Sequence, residues 1–219
     1  MNILIVSATQ FEVKPLLDLL GIEKTGIGLH HSLKNIKAVK TDVLITGIGM
    51  VNTAFMMGRY ANESYDLIIN VGVCGAFDRS IQLGDVVHVT TDILSELGAE
   101  DGDDFLTYDA MQLPGEHIFS NQLKQNLYKA NTLKQVKGIT VNTVHGNEYS
   151  IEKVKQIYRP DVESMEGAAF YACCKHITTH YTQIRAVSNY VEKRDKSKWQ
   201  MPLAIKNLND YLIELINDI

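Results

Sequence analysis

Glu12, Glu166 and Asn189 are the residues whose types and positions suit chemistry on a small polar ligand. Glu12 closes the run Ser7-Ala8-Thr9-Gln10-Phe11-Glu12. Thr9-x-x-Glu12 has the spacing of a capping box, which satisfies two backbone donors at a helix start. Pro15 counts against that use, because proline beyond the first turn breaks a helix; regular helix should begin near Lys14 or Pro15. Glu12 then lies on a strand-to-helix turn, its carboxylate free to face a cleft there. Glu163 and Glu166 stand three apart in Val162-Glu163-Ser164-Met165-Glu166-Gly167-Ala168-Ala169. Acidic residues suit the first turn of a helix, so capping alone would explain them. The small residues after Glu166 nevertheless let something approach it closely. Ser188-Asn189 places a hydroxyl and an amide where a heterocyclic base can be read, or where the chain merely turns. Gly47-Ile48-Gly49 and Gly72-Val73-Cys74-Gly75 permit positive φ and close backbone approach. Neither matches a Walker or dinucleotide fingerprint, so nucleotide phosphates are not the expected ligand.

Glu12, the two glycine motifs and Ser188-Asn189 follow short β-branched runs that are continuous in apolarity, as buried strands are, whereas Glu163 and Glu166 open an apparent helix. The runs cover 3–7, 43–46, 67–73, 86–90, 139–143 and 183–187. Helical patterns fall at 15–20, 52–62, 121–129, 165–176 and 203–216, the last opening on Pro202, which suits a first helical position. The more polar stretch 26–40 reads as a hairpin-like excursion. Alternating strands and helices predict an α/β fold, and in such sheets ligands sit beyond the carboxyl ends of the strands. With no repeat, low-complexity tract or linker, residues 1–219 are expected to form a single domain.

The formal net charge of −5 argues against nucleic acid or an anionic membrane as partner. No run approaches the ~20 apolar residues of a membrane span. The N-terminal apolar run is too short for a signal peptide and lacks its basic start, so a cytoplasmic location is expected. Cys74, Cys173 and Cys174 are odd in number and form neither a disulfide framework nor a metal-ligand spacing; no metal and no cofactor are expected.

Taken together and in order, Glu12, Gly47-x-Gly49, Gly72-x-Cys74-Gly75, Gln112-Leu113-Pro114-Gly115, Ser164-Met165-Glu166 and Ser188-Asn189 resemble the nucleoside phosphorylase/nucleosidase superfamily over essentially the whole chain. The chain is similar to the hydrolytic branch that includes the methylthioadenosine/adenosylhomocysteine nucleosidases. It looks most like the futalosine hydrolase family, which acts on an inosine derivative in an alternative menaquinone pathway. Gly72–Ser80, Glu96–Asp103, Thr143–Glu148 and Glu163–Ala169 carry that finer likeness. The resemblance implies a three-layer domain with a central mixed, mostly parallel twisted sheet flanked by helices. It also implies a homodimer or larger assembly, because the Pro114 segment reaches a neighbour's site in the family.

Two features bear on the reaction independently. Phosphorolytic relatives carry Arg and Ser where this chain has Asn70 and Val73, so a phosphate would lose charge-assisted, bidentate recognition. Glu12 would also repel a phosphate dianion while suiting a base for water. Adenosine-specific relatives carry Asp where Asn189 stands. An amide NH₂ offers two donors to N7 and O6 of a 6-oxopurine, where a carboxylate would face an unpaired carbonyl. The resemblance assigns Glu166 to the ribose 2′- and 3′-hydroxyls, Met165 to packing beside the sugar, and Ser188 to positioning Asn189. Asn is not a proton donor at ordinary pH, so hypoxanthine takes its proton from water or departs as an anion. Ile48, Cys74 and Gly75 are expected to line the substrate, Cys74 by packing. His145 reads as a base or water contact, or as structural. Arg79 is a candidate counter-ion for futalosine's benzoate, and the acidic run 96–104 reads as a solvated or interface loop. Rival readings are an adenine-releasing methylthioadenosine/adenosylhomocysteine nucleosidase, a purine nucleoside phosphorylase, and a non-catalytic nucleoside-binding protein.

Overall fold

The apolar runs become strands buried on both faces. In chain order the first elements are β1 (Asn2–Ser7), α1 (Lys14–Leu19), β2 (Gly28–His30), β3 (Lys40–Ile45), α2 (Met50–Tyr60), β4 (Leu67–Ala76) and β5 (Val86–Leu94). There follow β6 (Gly98–Asp101), β7 (Asp104–Thr107), β8 (Ile118–Ser120), β9 (Lys134–Thr140), α3 (Glu148–Tyr158), β10 (Val162–Ser164), α4 (Gly167–Cys174), β11 (His180–Tyr190) and α5 (Met201–Asp218). The computed structural model describes every residue except 24–25, 124–131 and 178–179. The helix expected over 121–129 lies, from 124 onward, outside the described residues.

β4 is central: it pairs in parallel with β1 and with β11. The strand order is β10-β9-β5-β11-β4-β1-β3-β2, with β8 on β5. This corrects the expected sheet in one respect. β10 also pairs antiparallel with β4, through Val162–Ala76 and Glu163–Gly75. The strands β4, β11, β5, β9 and β10 therefore close into a barrel-like ring instead of remaining a twisted open sheet. β1, β3 and β2 extend from it as a flange. β5 runs antiparallel to β11, so the ring is mixed in direction.

Helices cover both faces, as the α/β pattern requires. Ile184 and Ala186 of β11 pack with Leu208, Leu212 and Ile216 of α5 and with Leu16 and Leu17 of α1. Leu4, Leu44 and Ile68 pack with Met57 of α2 and with Phe170, Tyr171 and Cys174 of α4. Because side chains alternate along a strand, Gln183 and Arg185 of β11 point away from α5. That turns two polar residues toward the ring.

Sequence reading missed α3 and the β6–β7 hairpin. α3 is held by Asn147, whose side chain accepts from the Tyr149 and Ser150 N–H groups, and it closes at Arg159 in the left-handed conformation. The acidic run expected as a loop supplies the hairpin.

α1 starts at Lys14 with Pro15 in its first turn, but its N-cap Val13 offers no side-chain acceptor. Asn209 of α5 supplies one from 193 residues away. Its Oδ1 accepts from the Leu16 N–H at 3.1 Å, and its Nδ2 donates to the Glu12 carbonyl at 2.8 Å. Asn209 is fully buried, so Asn209→Leu strands both backbone groups without water. That variant is expected to lose about 2–5 kcal/mol of unfolding free energy in urea titration.

Candidate active site

A cleft of about 500 Å³ opens beyond the ends of β1, β4, β10 and β11. It is lined by Glu12, Ile48, Cys74, Gly75, His145, Met165, Glu166, Ser188 and Asn189, nine of the ten residues singled out from sequence. Arg79 is the exception. Its guanidinium pairs with Glu192 and lies 4.4 Å over the Tyr190 ring, two residues that line the cleft while Arg79 does not. Charge sign suggested a counter-ion for a ligand; Glu192 is the counter-ion it has.

Glu12 does cap locally, and it also faces the cleft. Oε2 accepts from the Thr9 N–H at 3.0 Å, Thr9 Oγ1 at 2.9 Å and Ser7 Oγ at 3.3 Å. Oε1 accepts from the Val73 N–H at 3.1 Å. These donors favour the carboxylate form, yet burial raises the Glu12 pKa overall. The positive charge of Arg185 opposes that rise and the negative charge of Glu166 adds to it.

Glu166 is the N-cap residue of α4 but makes no side-chain cap. Its Oε1 accepts from the Gly49 N–H at 3.1 Å, a donor aimed by a positive φ of 94°. Its Oε2 meets Arg185 Nη1 at 3.4 Å. Glu163, read from sequence as a helix-cap candidate, belongs to β10 and caps nothing. Its carboxylate holds His145, through the backbone N–H at 3.1 Å and Nδ1 at 2.6 Å.

Arg185 went unrecognised in the sequence. It is 1% exposed, in the middle of β11 and flanked by Ile184 and Ala186. Nε donates to Gln183 Oε1 at 2.8 Å, and Nη2 to Asn70 Oδ1. Gln183 Nε2 continues to Asp92 Oδ2 at 2.9 Å, and Asp92 Oδ1 accepts from Thr140 Oγ1 at 2.8 Å. Burial pushes Asp92 up to about 6, against the pull of the Gln183 and Thr140 bonds. A charged residue between Ile184 and Ala186 was the available signal. The small Gly167, taken to admit a ligand beside Glu166, instead admits this chain: a Cβ there would lie 2.1 Å from Asp92 Oδ2 and 2.4 Å from Gln183 Oε1.

Asn189 sits where β11 shifts register against β4, pairing opposite Gly75 while Val187 pairs with Cys74. Such a bulge re-aims a side chain. Asn189 Oδ1 accepts from Ser188 Oγ at 2.9 Å, and Nδ2 donates to the Tyr190 carbonyl at 3.0 Å. One of the two expected amide donors is thus already engaged. Cys74 is buried, and burial pushes its thiol up to about 12, so it packs as a neutral group. Trp199, Lys193 and Arg194 also reach the cleft and were not anticipated. Among the described residues, no group of three His, Cys, Asp or Glu is placed to hold a metal ion.

A family model described as the phosphorylase superfamily matches residues 2–217. The chain belongs to the phosphorylase superfamily. It is 30% identical over 172 residues to a futalosine hydrolase of Thermus thermophilus, covering 75% of this chain and 76% of the relative. It is 25% identical over 197 residues to the futalosine hydrolase of Streptomyces coelicolor, covering 86% and 82%. The futalosine hydrolase of Helicobacter pylori superposes with a TM-score of 0.80 at 13% identity, over 100% of this chain and 98% of that one. A methylthioadenosine/adenosylhomocysteine nucleosidase from Neisseria meningitidis, in complex with methylthio-immucillin-A, gives 0.80 at 17% identity, over 100% and 99%. At these identities the two solved structures show the superfamily's fold.

Gly72 is the bare point in this superfamily site, facing both Glu12 and Arg185. A Cβ there would lie 2.6 Å from Arg185 Nη1 and 2.6 Å from Glu12 Oε1. Gly72→Ala should destabilise by about 1–3 kcal/mol through overpacking. The control Gly58→Ala, on α2 with open space around it, should instead stabilise by about 0.5–1 kcal/mol. Chemical denaturation of both variants checks the contrast.

Proposed function

We propose that the chain hydrolyses the N-ribosidic bond of futalosine, releasing hypoxanthine and dehypoxanthine futalosine. The observation that carries it is the placing of Glu12, held by the Val73 N–H, and Glu166, held by Arg185 and the Gly49 N–H, in one cleft that runs along β4 from Val73 to Gly75, beside Asn189. Relatives 25–30% identical are futalosine hydrolases. The chain is a hydrolase of N-glycosyl bonds.

In the proposed mechanism Glu166 accepts hydrogen bonds from the ribose 2′- and 3′-hydroxyls. Its negative charge stabilises the oxocarbenium-like sugar as the base departs. Met165 and Ile48 pack beside the substrate. Glu12, fixed by four donors, orients water and takes its proton. Asn189 gives its remaining N–H to the 6-oxopurine's N7/O6 edge, with Ser188 holding its Oδ1. Water is favoured over phosphate for a physical reason. The Val73 N–H is bonded to Glu12, and a phosphate dianion beside it would meet a carboxylate. Asn70, which stands where phosphorolytic relatives carry Arg, is spent on Arg185 and on the Val6 carbonyl.

One domain over residues 1–219 belongs to the same proposal, supported by the match over 2–217. So does a homo-oligomer. Ile48, Val51 and Phe55 are exposed at and along the start of α2, an apolar stripe that a second copy would cover. Among the described residues no helix is long and apolar enough to cross a membrane, and we place the enzyme in the cytoplasm.

Chromatography of base release from futalosine, inosine and methylthioadenosine, with and without phosphate, tests this. Hypoxanthine from futalosine at a phosphate-independent rate is the expected result; adenine from methylthioadenosine, or a need for phosphate, would overturn it. Activity should rise with pH along an acid limb lying above the ordinary carboxylate range, because burial raises Glu12 and only its ionised form accepts a proton. Glu12→Gln should lower kcat by about 10²–10⁴-fold and abolish that limb.

A further inference from the structure

Glu163 has no part in that mechanism, yet its carboxylate lines the cleft while only 4% exposed. Among the described residues neither Lys nor Arg pairs with it. Its bonding partner is His145, which grips both oxygens from one side through the backbone N–H and Nδ1. Burying a carboxylate with so little compensation is costly unless a further donor arrives.

Asn189 stands beside it. A Cβ on Gly75 would lie 3.2 Å from Asn189 Nδ2 and 3.6 Å from Glu163 Cγ, so only a bare glycine separates the two groups. The polarity of the amide is fixed. Tyr190 offers a carbonyl, which can only accept, so Nδ2 faces it, while Oδ1 lies 2.9 Å from Ser188 Oγ, whose one proton is shared with the Cys74 carbonyl. The cleft wall therefore presents an N–H donor next to an acceptor-only carboxylate.

That pattern matches one base edge. A 6-oxopurine carries acceptors at O6 and N7 and a donor at N1–H. Adenine reverses the pattern, with an acceptor at N1 and a donor at the 6-amino group. Its N1 lone pair would face the Glu163 carboxylate, and its amino group would face the amide donor. We propose that Glu163 accepts the N1–H of the 6-oxopurine and, with Asn189, sets the enzyme's choice of base. His145 is a positioning residue that holds the carboxylate toward the cleft. The proposal rests on the hydrolase reading above and deepens it, because it puts discrimination in two residues instead of one.

The test is a ratio, which does not depend on how much of a variant folds. Rates of base release are measured for futalosine, its N1-methyl derivative and its 6-amino analogue, with wild type, Glu163→Gln and Glu163→Ala. Wild type should prefer futalosine over the N1-methyl derivative by at least about 10²-fold in kcat/KM, since methylation removes the donor. Glu163→Ala should bring that preference within about tenfold. Glu163→Gln, whose amide can donate to adenine N1, should cut the preference for futalosine over the 6-amino analogue by about 10²-fold. Wild type that accepts the N1-methyl derivative as readily as futalosine overturns the proposal without any variant. So do variants that slow all three substrates equally, which is what a structural role predicts. If wild type releases no base from futalosine, the hydrolase reading itself has failed, and the two failures are distinguishable.

Discussion

Arg185 is a guanidinium buried in the middle of a sheet, and the placing of the site's charged groups follows from it. Glu12 and Glu166 come from opposite ends of the chain, 154 residues apart in number, and each carries negative charge into a region with little water. Burial raises the Glu12 pKa first of all, and the nearby negative charge of Glu166 adds to the rise. The cation between them offsets part of that. A buried charge cluster of this kind is a poor way to gain stability, since desolvation can exceed the Coulombic gain.

The demands of that guanidinium spread outward. Its donors must all be met, so Gln183, Asn70 and Glu166 are aligned on it, and Gln183 in turn on Asp92 and Thr140. Space for the cluster requires bare backbone at Gly72 and Gly167. The polar chain crosses β4, β11, β5 and β9, four strands of the ring, and β10 closes the ring by pairing with both β9 and β4. Closure through β10 also delivers Glu163 and Glu166 to the strand ends that carry Cys74 and Asn189. Fold and site are thus one set of constraints. The bulge at Ser188 is the local adjustment that turns Asn189 toward the cleft.

Much of this was legible in the sequence, for identifiable reasons. Glu12 and Asn189 could be picked out because each follows an apolar run, and strand ends are where α/β sheets expose side chains; Glu166 stood out by the small residues that follow it. Pro15 located the start of α1 correctly. Arg185 was hidden because a residue inside an apolar run gives no hint of which groups will surround it. Ring closure was hidden because β10 has only three residues and finds β4 from far along the chain. Glu163 looked like a helix cap because spacing alone does not separate a short strand from a first turn. The pairing of Arg79 was hidden because a charge does not announce its partner, and Glu192 lies 113 residues on.

The acid limb of the pH–rate profile for base release, compared between wild type and Arg185→Gln, tests the central claim most directly. If Arg185 holds Glu12 ionised, removing its charge leaves burial and the Glu166 charge unopposed, and the limb moves to higher pH, with activity partly recovered in alkaline solution. A limb at unchanged pH, with activity lowered uniformly, would contradict the account and leave Arg185 a structural residue.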